Sequence, residues 1–266
     1  MIPALTQAAA DVPGLGLLAA LALMAAAWVL SLARRDVSVI DAFWGPGFVL
    51  LAWTYRAALH ATGPRALLVC VLVTVWGARL GAYIALRNRG RGEDPRYAEM
   101  RARRPRSFPW TSLVTVFALQ AALLWVIAMP VYAAQASGGR PLGVLDAAGV
   151  ALWLVGFSFE AVGDMQLARF KADPANRGRV MDRGLWRWTR HPNYFGEACL
   201  WWGIGLLALA ARGGAWSLLG PALLTFLLLR VSGVALLERH MLSRGPAYRD
   251  YVARTSAFLP WPPRMP

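Results

Sequence analysis

The chain has little charge, a single lysine and only two cysteines, and each scarcity excludes something. Of its 266 residues 16% are charged and 58% are hydrophobic. A soluble domain of this size carries nearer a quarter charged residues, so much of its apolar surface must meet something other than water. Cys70 and Cys199 both fall inside apolar runs, which suits small packing residues better than a disulfide or a metal site. No internal repeat and no low-complexity tract is present. No cleavable signal peptide is expected: no basic residue precedes the first apolar run, and Arg34 and Arg35 follow it, the order of an N-out anchor.

What is present is apolar and continuous. A helix needs about 20 apolar residues to cross the hydrocarbon core. Seven stretches meet that need: about Leu15–Ala33, Val39–Leu59, Ala66–Leu86, Trp110–Ala134, Val144–Leu167, Tyr194–Ala211 and Trp216–Leu237. Barrels need short alternating segments instead, so the expectation is an all-α integral membrane protein with about seven transmembrane helices. The net charge of +14 is distributed unevenly. If the loops alternate sides, one side holds 22 of the 28 basic residues, in Arg34–Arg35, Arg87–Arg106, Arg169–Arg190 and Arg239–Arg264, and the other holds four. That asymmetry is the positive-inside pattern, with the N-terminus outside and the C-terminus cytoplasmic. It accounts for the charge without nucleic acid, which a soluble protein this basic would otherwise suggest.

The chain reads as one membrane domain, 1–266, whose turn-rich stretch at 135–141 separates residues 1–135 from residues 143–260. Two cytoplasmic loops are long. Arg87–Pro109 is polar with three prolines, and Lys171–Arg190 holds Pro174, Gly178 and Gly184 and is expected to be mostly irregular. Arg239–Arg254 is expected to be a cytoplasmic helix followed by a Pro-rich tail.

Charges within spans are costly and therefore informative. Asp41, Arg79, Glu160, Asp164, Glu197, Arg230 and Glu238 lie in or at the ends of the runs. Glu160 and Asp164, and likewise Asn193 and Glu197, are four apart and share a helix face. Either these groups form a salt-bridge network pinning the helices, or they line a polar cavity. Nearby arginines suit phosphate and carboxylates suit hydroxyls, so the ligand of such a cavity is read as a nucleotide. The arginines are also what the topology signal alone requires.

The most specific string is Gly184-Leu-Trp-Arg-Trp-Thr-Arg-His-Pro-Asn-Tyr-Phe-Gly-Glu197. Pro192 suits the first turn of a span, and Gly196 allows a close neighbour. The string resembles the signature of the steroid 5-alpha-reductase and sterol reductase superfamily, and its Arg-His-Pro-x-Tyr part is similar to isoprenylcysteine carboxyl methyltransferases. The resemblance is nearest to bacterial membrane proteins with a steroid 5-alpha-reductase C-terminal domain, which implies a multi-pass protein of the bacterial cytoplasmic membrane. It implies NADPH as cofactor, held by Arg79, Arg91, Glu160, Asp164, Arg169, Lys171, Arg179, Arg190, His191, Asn193, Tyr194, Glu197, Glu238, Arg239, Tyr248 and Tyr251. Residues 143–260 would form the nucleotide half and residues 1–135 the half for a lipophilic substrate.

The reductases' Gln-Glu-Leu-Pro motif is missing. The second run reads Asp41-Ala-Phe-Trp-Gly-Pro46, and Trp76 stands where a substrate-binding tyrosine is expected. Asp41, with Tyr55 or Tyr83 as proton donor, is the substitute; Asp41 serving only to cap or pair within the bundle is an equal alternative. The function implied is hydride transfer to a lipophilic enone or alkene. A methyltransferase using S-adenosylmethionine is the rival, and a non-catalytic lipid-binding protein a third. The cations Arg169, Lys171 and Arg179 favour a phosphate-bearing cofactor over S-adenosylmethionine.

Overall fold

The computed structural model describes residues 2–136, 138, 140–211, 213–231, 233–234, 237–238, 241 and 245–264. All seven apolar runs appear in it as helical segments. Helix α1 is Ile2–Arg34, α2 Val39–Ala58 and α3 Pro64–Asn88. A short helix α4, Pro95–Arg103, precedes α5, which runs over Phe108–Gln135 and is π-helical at Leu113–Ala118. Helix α6 is Val144–Ala172, α7 Pro192–Leu209, α8 Gly214–Val231 and α9 Pro246–Arg254. The run expected over Trp216–Leu237 is thus helical as far as Val231, and residues 232, 235 and 236 lie outside the described ones.

Among the described residues, five helices are long and apolar enough to cross a membrane: Asp11–Arg34, Pro64–Asn88, Phe108–Gln135, Val144–Ala172 and Gly214–Val231. The protein is therefore built as a multi-pass membrane protein. Helices α2 and α7 have 20 and 18 residues, but Asp41 and Arg56 in the one, and Asn193 and Glu197 in the other, dilute their apolar character. Large apolar side chains face outward, Leu18 at 63% exposure, Val114 at 67% and Val144 at 87%, as a bilayer-facing surface requires.

The chain divides into two compact units, residues 1–142 with 208–219, and residues 143–207 with 220–266. In the first, α2 and α3 pack backbone to backbone. A Cβ on Gly77 would lie 2.5 Å from Gly45 O, so only glycine allows this approach. Helix α1 ends where Arg35 takes φ 52° and Asp36 N–H donates back to Ser31 O at 3.1 Å, a wrap-around stop that satisfies a terminal carbonyl. Trp125 Nε1 donates to Pro13 O at 2.7 Å and ties α5 to α1. The loop Arg87–Pro109, expected only as polar chain, contains α4. Its start is chemically marked: Asp94 accepts from Arg96 N–H at 2.9 Å and Pro95 takes the first helical position.

In the second unit, α6 and α7 are antiparallel neighbours joined by a seam of small residues. Gly149, Gly156 and Gly163 on α6 meet Gly203, Gly196 and Pro192 on α7. A Cβ on Gly196 would lie 2.5 Å from Glu160 N and from Gly156 O, so the close approach expected at Gly196 is realised against backbone. The glycines recur every seven residues on both helices, the period that keeps one stripe facing one partner. The connection between these helices is mostly irregular, with short 3₁₀ turns at Pro174–Asn176 and Gly184–Arg187. Gly178 and Gly184 take φ 81° and 59° there.

Candidate functional site

The sequence-selected polar residues of the second unit fall into two groups. The first lies on the α6–α7 seam. Glu160 and Asp164 are buried, at 2% and 4% exposure, one turn apart on the face of α6 that meets α7. Asn193 reaches across from the first turn of α7, its Nδ2 donating to Asp164 Oδ1 at 3.2 Å. Its Oδ1 accepts from Tyr194 N–H at 3.1 Å, which fixes the amide's orientation. Glu197 follows one turn later on α7, half-buried. Arg169 and Lys171, at the end of α6, and Arg179, in the following loop, are exposed.

The second group closes the C-terminal segment onto the motif. Arg190 is buried, and its guanidinium is fully engaged. Nε donates to Glu238 Oε1 at 2.7 Å, Nη2 lies 2.6 Å from the same oxygen, and Nη1 donates to the carbonyls of Val252, at 3.1 Å, and Thr255. His191 Nε2 lies 3.4 Å from Glu238 Oε1, and the His191 ring stacks on Tyr194 with centroids 5.5 Å apart. Burial pushes the Glu238 carboxyl up, but the His191 and Arg190 hydrogen bonds outweigh it and hold the group below the usual carboxylate range. Tyr251 donates to Trp186 O at 2.5 Å and packs edge-on against Tyr248. Burial drives both phenols up, so both stay protonated. Arg190 and Tyr251 are thus spent on holding the chain together. Arg239, also selected from the sequence, lies outside the described residues.

A cavity of about 430 Å3 opens in this unit, lined by Asp182, Arg183, Gly184, Arg187, Tyr251, Arg254, Thr255, Pro263 and Arg264. Of the residues chosen from the sequence only Tyr251 lines it. The signal that would have found it is a pairing no local pattern carries: Arg264 N–H donates to Arg254 O at 2.9 Å and Trp261 N–H to Trp188 O at 3.0 Å, which folds the Pro-rich tail back beside the Gly184 turn.

In the first unit, Asp41 sits in the first turn of α2. Tyr97 Oη donates to Asp41 Oδ1 at 3.3 Å, and Arg96 Nη2 lies 3.7 Å from Oδ2. The hydroxyl that reaches Asp41 is therefore that of Tyr97, on the unforeseen helix α4. Tyr55 is fourteen residues further along α2, about 21 Å at 1.5 Å per residue. It is fully buried against Tyr132, and its hydroxyl has no partner among the described residues. Tyr83 is half-buried between Arg79 and Arg87, whose guanidiniums lie 5.5 and 5.7 Å from its ring centre. Arg91 is exposed in the loop before α4.

The donor set of the second unit fits a phosphate-bearing nucleotide in kind. It combines a buried carboxylate and an oriented amide, groups of the kind that bond hydroxyls and amides, with exposed cations at the end of α6 and in the following loop, groups of the kind that pair with phosphate, although the cavity of this unit is lined by none of them. Arg169 and Arg179 have no carboxylate partner among the described residues.

A family model described as "Protein of unknown function (DUF1295)" matches residues 27–255. An uncharacterized protein of Schizosaccharomyces pombe is 28% identical over an alignment covering 92% of this chain and 78% of that protein. No solved structure matches the chain.

Proposed function

We propose, from the premise that the chain belongs to the DUF1295 family, that it is an NADPH-dependent membrane reductase acting on a lipophilic enone or alkene. The observation that carries the reading is the Asn193–Asp164 hydrogen bond, 3.2 Å across the α6–α7 seam. It puts the motif's amide and a buried acid together, with Glu160 and Glu197 a turn away on the same two helices. Steroid and sterol reductases, which the motif resembles, hold the adenosine half of NADPH with a stretch like that of Asp164, and contact the cofactor with an asparagine and a glutamate like Asn193 and Glu197.

NADPH, when bound, supplies the hydride. Asn193, Asp164 and Glu197 would hold its hydroxyl and amide groups, and Arg169, Lys171 and Arg179 its phosphates. In the first unit the Tyr55 hydroxyl, buried and without a hydrogen-bond partner among the described residues, is the donor of the proposal, which a substrate carbonyl or developing enolate would satisfy. Asp41 is held by Tyr97 and Arg96 and anchors α4 to α2. The proposed topology is seven spans, α2 and α7 included, with the C-terminal side cytoplasmic.

The test is thermal stability of the purified protein in detergent with NADPH, NADH or S-adenosylmethionine, since a ligand of the folded state at 100 times its Kd stabilises by about 2.7 kcal/mol. NADPH is expected to raise the midpoint more than NADH, and Asn193→Ala and Glu197→Ala to abolish the ligand-dependent rise. A rise with S-adenosylmethionine alone would replace the reductase by a methyltransferase.

A further inference from the structure

We propose that the cavity between the Gly184 turn and the C-terminal tail is a binding site for the phosphate headgroup of an anionic phospholipid. It does not depend on the reductase reading, only on the chain lying in a membrane.

Four guanidiniums, of Arg183, Arg187, Arg254 and Arg264, line the hollow against one carboxylate, Asp182. All four arginines are exposed, and among the described residues none has a carboxylate within ion-pair distance. Arg183 rests on the Phe170 ring at 5.9 Å, and Arg254 Nε donates to the Asp250 carbonyl at 3.3 Å. A topology signal needs arginines on one side of the membrane, but not around one concavity. Here they are gathered by fixed structure: the Trp261–Trp188 and Arg264–Arg254 backbone bonds set the tail, and Tyr251 and Thr255, both buried, form the floor. Like charges held together repel unless an anion sits among them, and guanidinium forks match phosphate oxygens in pairs.

Two observations name the source of that phosphate. The hollow lies on the connection between α6 and α7, where α6 ends its passage. Beside its arginines in the chain stand Trp188, Leu259 and Trp261, exposed at 45%, 64% and 69%. Exposed tryptophan next to clustered arginine is the composition of a membrane interface, where rings sit at headgroup level and cations meet anionic lipid.

The experiment uses the full chain in a neutral detergent doped with phosphatidylglycerol or with phosphatidylcholine, following the thermal midpoint and lipid retained by mass spectrometry. Phosphatidylglycerol is expected to raise the midpoint and to be retained, with an affinity about tenfold or more above phosphatidylcholine. The double variant Arg187→Gln/Arg254→Gln is expected to lose that preference while keeping its midpoint in phosphatidylcholine, which shows that it folds. Arg104→Gln/Arg106→Gln, exposed arginines of the first unit, is expected to keep it. Equal response to both lipids, or equal loss in both double variants, would overturn the proposal. An equal rise with inorganic phosphate or NADPH alone, abolished by Arg187→Gln/Arg254→Gln, would also overturn it, by showing a site for free anions.

Discussion

Tyr55 and Arg190 show how differently two buried polar side chains serve this protein. Arg190 uses its donors on Glu238 and two carbonyls of the C-terminal segment, so its role is to hold chain. Tyr55 is buried too, but its hydroxyl has no partner among the described residues. An unsatisfied buried hydroxyl costs stability, about 1–3 kcal/mol. Tyr55→Phe is therefore expected to leave the melting midpoint unchanged or raise it, while lowering reductase turnover at least about tenfold if the hydroxyl protonates the acceptor. A drop in midpoint would mean that the hydroxyl has a structural partner. The type of residue was legible in the sequence; its isolation was not. It depends on α1 and α5, whose Gly16 and Tyr132 surround the ring.

At the level of helices, the long elements follow directly from continuous apolar runs, because a span leaves no alternative way of satisfying its backbone. What escaped that reasoning was short or periodic. Helix α4 is nine residues long with four of them charged, too short and polar for hydropathy to find, though Asp94-Pro95 announces it. The α6–α7 seam is written in the spacing of Gly149, Gly156 and Gly163 and of Gly196 and Gly203. A single glycine carries no such message; the seven-residue spacing does. Gly196→Val places a carbon against the backbone of α6, and overpacking of this kind costs about 1–3 kcal/mol. The expected result is a lower midpoint with loss of the NADPH response. Gly14→Ala, where a Cβ meets nothing within 4 Å, is the matched control, expected to be neutral or to stabilise α1 by about 0.5–1 kcal/mol. A Gly196→Val protein melting with the wild type would contradict the packing described here.

For the molecule as a whole, acid should be the weak flank. Glu93, Asp94 and Glu238 lie outside the spans, and each carries a carboxyl held below its ordinary value. Burial raises all three. Arg101 and the Val37 amide outweigh it at Glu93, the Arg96 side chain and amide at Asp94, and His191 with Arg190 at Glu238. A group whose folded value is depressed contributes stability above its unfolded value and loses it as pH falls through the folded one. Unfolded carboxylates titrate near pH 4, so the melting midpoint is expected to be level from neutral pH down to about 5 and to fall below about 4. Glu238→Gln should lower the neutral plateau and flatten the acid decline. An unchanged acid decline in that variant would show that the Arg190–Glu238 pair is not among its causes.

The seven-residue glycine register also limits how this architecture can change length. One residue inserted within α6 would rotate everything beyond it by about 100°, carrying Gly163 away from Pro192 and Asp164 away from Asn193 at a stroke. The connection at 173–191 is mostly irregular and has no such phase to keep. Growth or shrinkage of the second unit is thereby directed out of the bilayer and into its loops, leaving the two glycine-lined cylinders fixed in size.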